Sequence, residues 1–103
     1  MKEMNCCLTL VCHRSMEEGL IDHLLEHPEW VRGFSGNRIE GHSQKEKLPS
    51  MMEQVRGRSQ RIEMRSVMAL EDAHALVAHL KTAMPNGDIT YWIMPVLEFG
   101  RLA

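Results

Sequence analysis

Along this chain the hydrophobic positions alternate in some stretches and cycle with a helical period in others, and the order of these stretches predicts a fold. Residues 4–12 (MNCCLTLVC) are small, apolar and β-branched with a loose period of two, the pattern of a largely buried strand. Ser15 followed by Glu18 has the spacing of a capping box, so a helix is expected to start there. Its apolar stripe is Met16, Leu20, Ile21, Leu24 and Leu25, and Pro28 stops it, because the residue before proline avoids helical geometry. Residues 31–42 read as extended but carry Gly33, Gly36 and Gly41, which suits an edge strand with a bulge. Residues 43–59 are polar, include Pro49 and Gly57 and show no period, so they are expected to form a long, flexible loop. Residues 60–69 alternate Ile62, Met64 and Met68 with Arg61, Glu63 and Arg65, a strand with one core face. Residues 70–84 place Leu70, Ala73, Leu76, Val77, Leu80 and Met84 on one helical stripe, closed by the turn sequence PNGD at 85–88. Residues 89–97 form a last strand whose Pro95 fits only a sheet edge.

The order βαββαβ predicts an α+β, ferredoxin-like sandwich: an antiparallel sheet in the order 4-1-3-2 with two helices on one face. The glycine-rich second strand and the proline-bearing fourth then fall on the edges, where strand breakers are tolerated. Leu8, Leu10, Ile62 and Met64 are expected to pack beneath the helices. The other sheet face carries Cys7, Thr9, Val11 and His13 beside Arg61, Glu63, Arg65 and Val67, a mixed surface expected to be covered by further copies of the chain.

Composition narrows the class. At 103 residues, 44% hydrophobic and 25% charged, the chain is one folded domain spanning residues 1–103. It contains no apolar run of the roughly 18 residues that a membrane span requires, and its first residues lack an export signature, so a cytoplasmic protein without membrane insertion is expected. In that compartment Cys6, Cys7 and Cys12 remain reduced. The net charge of −2 is unevenly spread: residues 32–65 hold eight basic side chains against four acidic ones, a local +4 that leaves −6 elsewhere. This asymmetry points to an anionic ligand or partner near the middle of the chain. Nucleic acid is not an expected partner, because no basic stripe is interleaved with aromatic residues.

The segment HLLEH, residues 23–27, matches the H-x-x-E-H pattern of a class of zinc peptidases. On a helix His23 and His27 share a face, so two imidazoles could hold one divalent metal ion. A peptidase needs a third protein ligand and a substrate cleft, which so short a chain has little left to build. Cys6 and Cys12 point to the same face of the first strand and are expected in the core. His74 borders the second helix's stripe and His79 is expected on the opposite side. With no local nucleophile arrangement and no phosphate-binding glycine loop, the chain is not expected to be an enzyme.

Four features together resemble a known family: the βαββαβ order; Val31-Arg32-Gly33-Phe34 leading to Gly41-His42-Ser43; a long loop ending in Val55-Arg56-Gly57-Arg58; and Ile93-Met94-Pro95-Val96-Leu97-Glu98 followed by Arg101. The chain resembles the PII-like nitrogen regulatory superfamily, most closely a branch of small PII-like bacterial proteins often linked with heavy-metal efflux. The resemblance implies a homotrimer that engages a protein partner through the 43–59 loop and binds small ligands in clefts between subunits. By position it implies ligand-binding roles for Gly33, Phe34, Gly36, Gly41, His42, Arg56, Arg58 and Arg101. One departure argues against ATP binding by that family's usual route: the glycine-rich turn with a lysine is replaced by Asn86-Gly87-Asp88, an acid where the cation stands. The alternative reading is a divalent heavy-metal-binding protein similar to the cation-tolerance family.

Overall fold

The computed structural model describes residues 2–41, 59–85 and 87–103. These residues form β1 (Cys6–His13), a short 3₁₀ turn (Arg14–Met16), α1 (Glu17–Leu25), β2 (Ser35–Gly41), β3 (Ser59–Met68), α2 (Leu70–Ala83) and β4 (Thr90–Pro95). The strands make one antiparallel sheet in the order β2-β3-β1-β4, which is the expected 4-1-3-2 read from the other edge. The predicted 43–59 loop lies outside the described residues, except for Ser59, which opens β3.

Alternation along the central strands decides the layers. Cys6, Leu8, Leu10 and Cys12 of β1 are buried, and they meet Ile62, Met64 and Met68 of β3 under Leu20 and Leu24 of α1 and Ala73, Leu76, Val77 and Leu80 of α2. Cross-strand pairs such as Leu10 opposite Met64 and Cys12 opposite Ile62 keep these side chains on the helix-covered face.

Three local expectations are corrected. The β2–β3 ladder runs one to one from Ser35 opposite Arg65 to Gly41 opposite Ser59, so the edge strand has no bulge. Gly33, which suggested one, falls before the strand. The capping box at Ser15 does not form, because Ser15 sits inside the 3₁₀ turn; the His13 ring caps instead, its Nδ1 accepting from the Ser15 amide at 3.1 Å. Third, α1 stops at Leu25, leaving that residue 64% exposed rather than in the stripe. Beyond it the Trp30 and Val31 amides donate to the His27 carbonyl at 3.1 and 2.9 Å, which turns the chain around Pro28.

Both ends of α2 depend on residues distant in sequence or tightly fitted. Its first amide, that of Leu70, donates to Asn5 Oδ1 at 2.9 Å, so the N-terminal segment before β1 supplies the cap. After the last turn the Gly87 amide donates to the Met84 carbonyl at 3.0 Å. A Cβ at position 87 would come within 2.7 Å of Met16 Cε and 3.1 Å of the Met84 carbonyl oxygen. Met16 can move, but the carbonyl cannot. Gly87→Ala is therefore expected to lower stability by about 1–3 kcal/mol through overpacking, read as a lower chemical-denaturation midpoint; an unchanged midpoint would show that this end of α2 is loosely held. Gly33→Ala is the control, since an added Cβ there meets nothing within 4 Å.

Candidate functional site

A wide groove lies where the N-terminal segment, the approach to β2, the end of β3 and the C-terminal tail meet. It has a volume of about 980 Å³, and its walls include Lys2, Arg32, Arg65 and Arg101 with the acids Glu3 and Glu98 and the rings of Phe34 and Phe99. Two hydrogen bonds hold the walls in place. The Ser66 hydroxyl donates to the Gly33 carbonyl at 2.6 Å, fastening the 32–34 segment to the end of β3. The Val96 amide donates to the Asn5 carbonyl at 3.0 Å, fixing the start of the tail. Asn5 thus ties the groove to α2 as well as to the tail, a role that no periodicity reveals.

Each cation has its own surroundings. Lys2 Nζ donates to Asp72 Oδ1 at 2.7 Å, and that bond holds the ammonium pKa above its ordinary value. Arg65 Nε donates to Glu63 Oε1 at 2.6 Å. With Lys2 and Arg65 each bonded to a carboxylate, the groove's other two cations are Arg32 and Arg101, and Phe34 and Phe99 add flat apolar surface beside them.

The sequence-predicted ligand residues do not all meet within one chain. Gly33, Phe34 and Arg101 line the groove. Gly36 is on β2 opposite Met64, and Gly41 is at the far end of that strand against Arg61. The strand is seven residues long, so its two ends lie about 20 Å apart at the usual rise. His42, Arg56 and Arg58 lie outside the described residues. Asp88, the acid that replaces the expected lysine, is 3.9 Å from Arg61 Nη2 at the Gly41 end and does not line the groove.

A second cluster forms between the end of α1 and a flank of α2. His23 and His27 were expected four apart on one helix; His23 is helical, but His27 lies past the C-cap in the turn. The structure adds His79, which is half-buried on the side of α2 that also carries buried Asp72 and Leu76, so the expectation that it points away from the core is overturned. His27 Nε2 and His79 Nε2 are 3.1 Å apart. The His23 and His79 rings meet edge-on with centroids 5.5 Å apart, and His23 Nδ1 is buried without a hydrogen-bond partner. Trp30 stacks on His27 at 4.6 Å, and Glu29 Oε1 lies 2.6 Å from His27 Nδ1. The spacing of Asp72, Leu76 and His79, four and then three residues apart, was the one available signal for this flank.

On the sheet face away from the helices, Thr9 is buried between its strand neighbours Arg65 and Trp92, while Trp92 and Met94 on β4 are exposed. Cys6 and Cys12 are buried free thiols; Cys6 donates to the Met68 carbonyl at 3.3 Å.

A four-stranded antiparallel sheet in this order with two covering helices defines an α+β, ferredoxin-like protein. A family model described as "Protein of unknown function (DUF3240)" matches residues 2–103, and the chain belongs to that family. A crystal structure of a DUF3240 family protein from Shewanella baltica OS155 is similar over 98% of this chain and 99% of that one, with 23% identity and a TM-score of 0.78. CPII, a nitrogen regulatory PII-like protein from Thiomonas intermedia K12 bound to ADP, AMP and bicarbonate, matches over 96% of each chain with 13% identity and a TM-score of 0.71. CutA from Synechococcus elongatus PCC7942, complexed with Bis-Tris, matches over 94% of this chain and 85% of its own, with 13% identity and a TM-score of 0.66. No curated protein matches the sequence. At these identities the structural likeness establishes the fold. Among the described residues no helix is long and apolar enough to cross a membrane.

Proposed function

We propose that this chain is a non-catalytic PII-like regulatory protein that binds a small anion in the groove and engages a protein partner through the 43–59 loop. The observation that carries this reading is the placing of Arg32 and Arg101 on the walls of one open groove beside two phenylalanine rings. A phosphate or carbonate group answers the charge, and a nucleotide base answers the rings. CPII, similar in fold, is bound to ADP, AMP and bicarbonate, which makes these three the first ligands to try. A nucleotide held here would not use Gly87 or Asp88, consistent with a route other than the usual ATP site of the PII family. The exposed Trp92 and Met94 face suits sister copies in a homotrimer.

The test is a thermal-shift titration of the purified protein with ADP, AMP and bicarbonate. A ligand at a hundredfold excess over its Kd stabilises the folded state by about 2.7 kcal/mol, so the melting temperature should rise, and Arg32→Ala and Arg101→Ala should abolish the rise. No shift with any of the three, or a shift untouched by both substitutions, refutes the groove. For the partner role, deletion of residues 45–56 should remove capture of a protein that the intact chain binds.

A second reading, a divalent-cation-binding protein similar to the cation-tolerance family, is favoured by one observation, the approach of His27 Nε2 to His79 Nε2.

A further inference from the structure

We propose that His27 and His79, joined by His23 after a small side-chain rotation, bind one borderline divalent transition-metal ion, Cu²⁺, Ni²⁺ or Zn²⁺, with Glu29 holding His27 in the ligating tautomer. The inference gives the cation-binding reading its site, and it is independent of the anion groove.

The geometry begins with Glu29. Its carboxylate oxygen stands 2.6 Å from His27 Nδ1, so Nδ1 carries the proton and donates it. His27 Nε2 is left with its lone pair, aimed at His79. A carboxylate that orients a histidine through the nitrogen remote from the metal is a recurring support for metal ligands.

Distances fit two nitrogens that share a centre. Ligands about 2.0–2.1 Å from a tetrahedral ion lie roughly 3.3 Å apart, and the two Nε2 atoms are 3.1 Å apart. The His27 and His79 rings stand with centroids at 4.3 Å, tighter than two rings on one ion, so loading opens the pair by about 1 Å. The His23–His79 spacing of 5.5 Å already suits a shared ion. Burial of His23 Nδ1 without a partner leaves a polar atom whose desolvation is uncompensated, and ligation would compensate it. Among the described residues no three His, Cys, Asp or Glu donors already surround one point, which is why the ring rotation is part of the proposal.

The chemistry selects the ion. Imidazole nitrogens suit copper, nickel and zinc over magnesium and calcium, and affinity for such donors rises from Co²⁺ through Ni²⁺ to Cu²⁺ and falls again at Zn²⁺. When the ion enters, it takes the place of the hydrogen between the two Nε2 atoms, and His79 carries its proton on Nδ1 instead. Stacked Trp30 closes one side and supplies an optical reporter.

The experiment titrates the full chain, thiols kept reduced, with Cu²⁺, Ni²⁺ and Zn²⁺ by calorimetry and follows tryptophan fluorescence. One saturable site per chain is expected, with Cu²⁺ tightest and quenching Trp30. His79→Ala and His27→Ala should each weaken binding by more than tenfold, and His23→Ala by a smaller factor. Glu29→Gln, at an exposed position where folding is not at stake, should weaken it about 10- to 100-fold. His74→Ala, on an exposed part of α2, should leave it unchanged. Saturable binding untouched by His27→Ala, His79→Ala and Glu29→Gln would overturn this site while sparing the cation-binding reading. Absence of saturable binding for all three ions would overturn both.

Discussion

Leu76→Ala is expected to cost about 3 kcal/mol of stability, within the 2–5 kcal/mol range for truncating a fully buried leucine. The side chain is 0% exposed and stands where α2 presses on the sheet, in one core with Leu8, Leu10 and Leu20. Removal of its terminal carbons loses their transfer free energy and leaves a cavity that the rigid strands below cannot fill. Against a total stability of about 5–15 kcal/mol for a domain of this kind, the loss is large. It should appear as a clear fall in the urea midpoint at unchanged slope. Leu25→Ala is the matched control: at 64% exposure it should shift stability by no more than about 0.5 kcal/mol. Equal effects from the two substitutions would mean that α2 does not seal the core as described. Leu76 also lies between Asp72 and His79 along α2, so its loss should loosen the Lys2–Asp72 ion pair and the His27–His79 contact together.

Alkaline pH should destabilise the protein through Cys12. The thiol is 0% exposed on the inner face of β1, and burial, helped by the Glu17 carboxylate and opposed by Arg61, pushes its pKa from 9.0 up to about 11. In the unfolded chain the thiol ionises near 9; in the folded chain it keeps its proton. A group whose folded pKa is raised contributes stability that is fully present below the unfolded value and is lost as pH rises through the folded one. The window is therefore about pH 9 to 11, and a displacement of this size corresponds to about 2–3 kcal/mol. Denaturant midpoints measured across this window should fall more steeply for the native chain than for Cys12→Ala. Cys6, also raised by burial, is common to both proteins and drops out of the difference. Parallel curves for the two proteins would show that Cys12 reaches solvent in the folded state.

Much of the architecture was legible because it follows from local periodicity. Leu8, Leu10, Ile62 and Met64 alternate with polar neighbours, and only one registration of a two-residue repeat buries all of them. Gly36 and Pro95 placed their strands on the edges for an equally local reason, the cost of a breaker within a ladder. Two of the errors fell at element ends. Ser15 has the right spacing for a cap, yet His13, held in place at the end of β1, reaches the Ser15 amide instead. Leu25 belongs to the stripe by angle but not by burial, because the helix ends at that residue.

The two candidate sites divide along the same line. Gly33, Phe34 and Arg101 could be named from a resemblance, but their meeting with Lys2, Arg32 and Arg65 depends on the N-terminal segment, the end of β3 and the C-terminal tail running together. His23 and His27 could be paired by counting along the chain, whereas His79, 52 residues beyond His27, enters only through the packing of α2 against the turn at Pro28. By itself the sequence determined which residues are strand and helix, which face of each is apolar and which strands lie on the edges, because these are properties of short segments and of burial. Only the tertiary structure decided which flank of α2 meets the end of α1, where Asn5 forms its cap and which cations share a groove. Those outcomes depend on how rigid elements cross, and contacts between residues far apart in the chain leave no period to read.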